Sequence, residues 1–174
     1  MPAWLVARGK NLVMAANNKC GSTSLRSHPA FYDSRTPEEA LQFEVRVAWL
    51  RQPILRMHSA WRGFHIRTAT ENWRWGLDDA SLATWENFVD HTFAHSNEHW
   101  NPQVPQLCTQ DGKTFIPTIV EPFERLAERF NVYIDGPLLH ENKSTSIVVD
   151  LNYRRDELET KFKKDFELWE QITT

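Results

Sequence analysis

Residues 11–25, Asn11-Leu12-Val13-Met14-Ala15-Ala16-Asn17-Asn18-Lys19-Cys20-Gly21-Ser22-Thr23-Ser24-Leu25, decide the fold. Asn11 to Ala16 is a short apolar run of strand length. It meets the polar turn Asn17 to Gly21, and Ser22 to Ser27 then begins a short helix that Pro29 limits. A strand that enters a helix through a glycine-containing turn is the repeating unit of α/β proteins, whose sheets are covered by helices. Gly21 permits close backbone approach, a following helix offers free N–H groups, and Lys19, Ser22, Thr23 and Ser24 add donors, so the turn is a candidate phosphate cradle. It is not the nucleotide-triphosphatase loop, because the lysine precedes the glycine and the GxxxxGK[ST] spacing is missing. A polar turn that only caps a helix is the competing reading of the same residues.

A second junction of the same kind follows. Glu44 to Leu50 reads as a largely buried strand with Arg51 at its carboxyl end, and Pro53 opens a helix carried to about Ile66. In open α/β sheets the ligand crevice lies at the carboxyl ends of strands. Between Val45 and Thr70 there is no acidic residue, whereas Arg46, Arg51, Arg56, Arg62 and Arg67 are all present. Guanidinium forks match phosphate oxygens in bidentate fashion, which suits polyanion binding; a solvated charged face is the alternative.

Outward from these junctions, strands and helices alternate, the order that gives a parallel sheet flanked by helices. Thr36-Pro37-Glu38-Glu39 marks a helix start, with a capping threonine, a first-turn proline and a glutamate three residues after the cap. Leu82 to His95 reads as a helix, Phe115 to Val120 as a third strand, Glu121 to Phe130 as a helix and Val132 to Ile134 as a short fourth strand. A C-terminal helix from about Asp156 carries Leu158, Phe162, Phe166 and Trp169 as one apolar stripe that docks on the core.

The chain of 174 residues is close to one ordinary domain, expected to span residues 1–174 around one core. Its 20 basic and 23 acidic residues give a net charge of −3, so no global basic field exists to attract nucleic acid or an anionic membrane. Cys20 and Cys108 have no metal-ligand spacing and form no disulfide framework, although a single bridge between them stays open. Arg8, Lys10 and Asn11 interrupt the N-terminal apolar residues before signal-peptide length, and no later run approaches the roughly 20 apolar residues of a membrane span. A cytoplasmic protein with no membrane partner is the expectation. His91, His95 and His99 recur every fourth residue and would share one face of a continued helix, which raises a histidine metal site as a rival reading. Ser96-Asn97-Glu98 favours an end to that helix, and HTFAH lacks the glutamate of HExxH.

The two junctions resemble the 5′-phosphosulfate loop (NKCGSTSL) and the 3′-phosphate motif (LRQPILRMHSAW) of carbohydrate sulfotransferases that use 3′-phosphoadenosine-5′-phosphosulfate (PAPS). The chondroitin and dermatan branch is the most similar. Its second motif usually reads R-D-P, then R, then S-A-Y; here Arg51, Pro53, Arg56, Ser59 and Ala60 match, while Gln52 and Trp61 depart. The resemblance continues through ENFVDHTF, HWNPQVPQLC and FIPTIVEPFERL to DFELW, and so covers most of the chain in the family's order.

This resemblance implies an α/β fold related to nucleotide kinases, transfer of a sulfuryl group to a hydroxyl acceptor of carbohydrate type, and no metal in the chemistry. Lys19, Cys20, Gly21, Ser22, Thr23 and Ser24 correspond to the 5′-phosphosulfate loop, and Arg51 and Ser59 to the 3′-phosphate pair. His99, matching the family's His-Trp element, is the candidate general base, with His65 and Glu98 next. A non-catalytic nucleotide- or polyanion-binding module with the same pocket is the second rival.

Overall fold

The computed structural model describes residues 2–65, 76–136, 138 and 149–174. It is an α/β arrangement around a five-stranded open mixed sheet of order β3-β1-β2-β4-β5. The strands are β1 (Ala3–Ala7), β2 (Leu12–Ala16), β3 (Phe31–Arg35), β4 (Val45–Leu50) and β5 (Ile119–Pro122).

The expected all-parallel sheet is corrected to a mixed one. β2 pairs in parallel with β4, and β4 with β5, but β1 is antiparallel to both β2 and β3. The cause is local. Only a tight turn separates β1 from β2, with Gly9 at φ +70, and such a turn can return the chain only antiparallel. Strand β3 escapes a hydrophobic-pattern reading because Tyr32, Asp33 and Ser34 are exposed on a sheet edge, where pairing needs no apolar face.

Alternation along the central strands builds a core on each face. Leu5, Met14, Val47 and Trp49 meet Leu25, Leu126 and Phe130 on one side, whereas Trp4, Val13, Ala15 and Ala48 meet Leu107 and Ile116 on the other. A third cluster packs helix α3 (Pro53–His65), through Phe64 and Trp61, against Trp85, Phe88, Trp100, Leu158 and Phe162. The end of the long helix, expected near Ile66, lies outside the described residues.

The other elements are α1 (Ser22–Ser27), α2 (Pro37–Ala40), α4 (Asp79–Leu82), α5 (Trp85–Ala94), α6 (Gln103–Gln106), a 3₁₀ turn (Phe123–Arg125), α7 (Leu126–Tyr133), α8 (Arg155–Lys161) and α9 (Lys163–Thr173). The capping box before α2 is present: the Glu39 N–H donates to Thr36 Oγ1 at 3.3 Å, and the Thr36 N–H to Glu39 Oε2 at 2.9 Å. The expected Leu82–His95 helix is two, because Thr84 accepts the Asn87 N–H at 3.1 Å and caps a fresh start.

Two strand boundaries are also corrected. Val132 to Ile134 is no strand: Val132 and Tyr133 end α7, with Ile134 as its extended C-cap, and Glu121 Oε1 accepts from Arg129 Nη2 at 3.0 Å and from the Tyr133 hydroxyl at 2.6 Å. Residues 129 and 133 lie one turn apart, so this shared acceptor overrides the strand propensity of Val132 and Tyr133. The third strand begins at Ile119 rather than Phe115, because Arg46 Nε takes the Ile116 carbonyl at 2.6 Å, which removes it from the ladder.

The C-terminal stripe forms in part, across α8 and α9: Leu158 and Phe162 are buried and Phe166 packs at their margin, while the fourth residue, Trp169, is half-buried and outside that cluster. Cys20 and Cys108 are both free thiols. Among the described residues no helix is long and apolar enough to cross a membrane.

On α5 the His91 and His95 rings stack at 4.1 Å, and Trp100 lies edge-on to His91 at 5.7 Å. Burial first, and then the neighbouring His95, hold His91 below the ordinary imidazole range. The folded chain therefore takes up this proton less readily than the unfolded chain. The stability involved is complete above the unfolded value of about 6.5 and is lost as pH falls below it. The melting temperature should drop between pH 7 and pH 5, and His91→Gln should flatten that slope; an unchanged slope in the variant would exclude His91 as its source.

Candidate functional site

Parallel pairing of β2 with β4, in the register Leu12↔Val45 to Met14↔Val47, sends both strands out at the same end of the sheet. Both junctions therefore meet there. Arg51 Nη1 donates to the Lys19 carbonyl at 3.4 Å, a direct link between them.

In the first junction Lys19 adopts φ 65, a left-handed conformation uncommon for a residue with a side chain, and Gly21 follows at φ 76. Gly21 is required twice over. A Cβ there would stand 2.6 Å from Leu126 Cδ2, in addition to the unfavourable φ. The N-cap of α1 is Gly21, and no side-chain hydrogen bond caps this helix.

Cys20 is fully buried, and its thiol donates to Gln103 Oε1 at 3.1 Å. Burial raises it to about 11, so it is a packed thiol and not a nucleophile at neutral pH. Ser24 is buried, Ser22 half-buried and Thr23 exposed. Asn17, immediately after β2, is 2% exposed, and neither its Oδ1 nor its Nδ2 has a hydrogen-bond partner.

In the second junction the five arginines separate into different roles. Arg46 binds the carbonyls of Ile116 and Phe43. Arg56, 1% exposed, donates to the carbonyls of Asn18 at 3.1 Å, Asn101 at 2.7 Å and Glu98 at 2.7 Å. These two are structural, which corrects the expectation that the whole run serves an anion; Arg67 lies outside the described residues.

Arg51 and Arg62 differ from them. Arg51 Nε and Arg62 Nη2 are buried atoms without a hydrogen-bond partner, as is His58 Nε2 one turn before Arg62. Arg51 stacks over Phe123 at 4.9 Å and has Glu124 Oε1 only at 4.0 Å. Burial lowers its pKa, as does the charge of Arg62, and burial followed by the Arg62 and Arg51 charges lowers that of His58. Positive charge is thus concentrated here and incompletely answered. Ser59 is half-buried on the same helix, three residues before Arg62.

Phe64 joins Lys19 to His99. Lys19 Nζ lies 5.2 Å from the centre of its ring, and the His99 ring packs edge-on at 5.0 Å. His99 is 7% exposed, and its N–H donates to Asn97 Oδ1 at 2.9 Å. His65 is exposed, with Nδ1 3.3 Å from the Leu82 carbonyl, while the Glu98 carbonyl holds Arg56.

The histidine metal reading loses its geometry. His91 and His95 stack instead of converging, and His99 belongs to the following turn. No group of three or more His, Cys, Asp or Glu side chains suited to a metal ion occurs among the described residues.

Gln103 is the residue that sequence reasoning passed over, whereas the sequence marks Arg62 only as one of the arginine run and Asn17 only as part of the polar turn. The unpaired atoms of Asn17 and Arg62 follow from burial, which no local spacing encodes. Gln103 reaches Arg51 and Cys20, 52 and 83 residues away. No family model, curated protein or solved structure matches this chain.

Removing Arg56 should unfold this region first. Arg56→Leu removes a buried cation that binds three carbonyls, those of Glu98 and Asn101 shared with Gln106 Nε2, and should cost roughly 3 kcal/mol in urea denaturation, whereas Arg62→Ala should cost under about 1 kcal/mol. Comparable losses at the two positions would erase the distinction between an arginine bound to carbonyls and one with an unpartnered buried nitrogen.

Proposed function

We propose that the chain is a PAPS-dependent sulfotransferase that transfers a sulfuryl group to a hydroxyl of a carbohydrate-type acceptor, on a sheet-and-helix frame of the nucleotide-kinase kind. One observation carries the reading: Asn17, Arg51 and Arg62 present buried polar atoms without partners beside the two strand ends that hold Lys19 and Ser59. A buried unsatisfied donor costs roughly 1–3 kcal/mol, so a ligand rich in acceptor oxygens recovers that energy on binding. Anionic oxygens do so with charge-assisted bonds, and the motif resemblance assigns them to the 5′-phosphosulfate and the 3′-phosphate.

In this reading the acceptor oxygen attacks sulfur in line as the bond from sulfur to the bridging phosphate oxygen breaks, and negative charge gathers on that oxygen. Lys19 stabilises the charge; one preorganised donor of this kind contributes roughly 3–4 kcal/mol. Arg51 and Ser59 hold the 3′-phosphate. His99, whose ring packs against Phe64 as the Lys19 ammonium does, takes the acceptor proton. The transferred group passes intact, so no oxidant or reductant enters.

Adenosine 3′,5′-bisphosphate, the desulfonated product, should raise the melting temperature; at one hundred times its dissociation constant the gain is about 2.7 kcal/mol. Lys19→Ala should chiefly lower turnover and Arg51→Ala chiefly weaken the nucleotide, while His99→Ala should cut turnover roughly a hundredfold with nucleotide binding intact. Radiolabelled transfer to a panel of glycans, phenols and alcohols reads the activity. Nucleotide binding without transfer to any of them would favour the non-catalytic binding module, and no binding at millimolar nucleotide by the folded chain would end the proposal.

Gly63 supplies a test that separates activity from stability. A Cβ at this helical position would fall inside contact distance of Lys19 Nζ, so Gly63→Ala must displace the ammonium. Alanine also favours the helix by up to about 1 kcal/mol. The variant should melt no lower than the parent yet turn over more slowly; unimpaired turnover would remove Lys19 from the chemistry.

A further inference from the structure

We propose that Gln103 is a positioning residue that holds the two anion-binding junctions in register, and that Asp165 fixes Gln103 from the C-terminal helix. The inference rests on the donor-site reading for its functional consequence but not for its geometry.

Strand β4 ends at Leu50, opposite Pro122 of β5. Proline has no N–H, so the ladder on that side cannot continue past this pair. The backbone of Arg51, the next residue, is answered by a side chain instead. Gln103 Oε1 accepts the Arg51 N–H at 3.2 Å, and Gln103 Nε2 donates to the Arg51 carbonyl at 2.8 Å. The carboxamide thus takes both main-chain groups of the residue whose guanidinium faces the pocket.

The same Oε1 accepts the Cys20 thiol at 3.1 Å. Cys20 lies between Lys19 and Gly21, so one side chain ties the 5′ loop to the start of α3. Gln103, Cys20 and Asp165 are 1%, 0% and 0% exposed, so water does not replace these bonds.

Gln103 is itself fixed from the other direction. Its N–H donates to Asp165 Oδ2 at 2.5 Å and the Val104 N–H to Oδ1 at 2.8 Å, so the carboxylate of α9 caps the short helix α6. Burial raises the Asp165 pKa while these two N–H groups lower it, with Arg56 as a further favourable charge.

Few side chains can replace Gln103. Glutamate retains the acceptor but loses the donor to the Arg51 carbonyl, asparagine is one methylene short, and methionine keeps the volume with neither polar function. Gln103 touches main chain and thiol, not the pocket, and therefore acts through Arg51 and the loop.

The test uses the full chain and its variants Gln103→Met and Gln103→Glu, with calorimetric dissociation constants for adenosine 3′,5′-bisphosphate and for adenosine 5′-monophosphate. The parent should prefer the bisphosphate. Gln103→Met should reduce that preference roughly tenfold while 5′-monophosphate affinity changes little, and Gln103→Glu should fall in between. In an Arg51→Ala background, Gln103→Met should change the preference by less than about twofold, since its effect runs through Arg51. Equal weakening of both nucleotides, or full additivity with Arg51→Ala, would overturn the positioning role and leave a purely structural one.

Amide hydrogen exchange provides a readout that needs no nucleotide. Gln103→Met, or Gln103→Glu if the first variant does not fold, should speed exchange at Arg51 and across residues 17–21 far more than in β1. If the parent binds neither nucleotide, the donor-site reading fails while exchange still decides the positioning claim; unchanged protection at Arg51 overturns it.

Discussion

The parallel pairing of β2 with β4 is the constraint on which the rest depends. Parallel neighbours leave the sheet in the same direction, so the segments after them, Asn17 to Gly21 and Arg51 to Pro53, emerge side by side. An antiparallel pair would have sent them to opposite ends. The antiparallel hairpin of β1 and β2 and the edge strand β3 lie on the other flank of β2, where they extend the sheet without crowding the junctions.

Charge at that end is organised by burial more than by number. Arg56 and Arg51 are five residues apart, yet one has carbonyls around its guanidinium and the other has a buried Nε with nothing to bond. A buried cation satisfied by three carbonyls binds loops together. One that meets an aromatic face and a carboxylate at 4.0 Å retains capacity for an anion. Arg56 and Gln103 accordingly form a scaffold at the two junctions: the first ties the loop at Asn18 to residues 98–101, and the second ties Cys20 to Arg51.

Strain is concentrated at the residue proposed to do the most. Lys19 holds a left-handed backbone, which costs a side-chain-bearing residue roughly 1–2 kcal/mol, and its ammonium lies where only a glycine on α3 leaves space. Such strain persists only where the surroundings impose it, here through the Cys20 thiol bond and the Arg51 contact to the Lys19 carbonyl. Gly63 thus leaves room for the lysine on α3, at a cost in helix propensity, while Gly21 leaves room for Leu126 and Phe123.

By itself the sequence determined the strand-turn-helix units at Asn11 to Ser27 and Glu44 to His65, the capping box at Thr36 and the apolar stripe through Leu158 and Phe162. Each depends on neighbours within a few residues, where periodicity and caps act. It did not determine the edge strand β3, whose residues lack an apolar face, or the helical state of Val132 and Tyr133, where Glu121 binds Arg129 and Tyr133. Tertiary structure alone sorted the arginines: Arg46 and Arg56 find carbonyls 38 to 70 residues distant, whereas Arg51 reaches that of Lys19 and keeps a buried Nε without a hydrogen-bond partner. It alone also brought Gln103 to Arg51. Side-chain type is written in the chain, but whether a polar group is buried, and what then answers it, is decided only when remote segments are packed together.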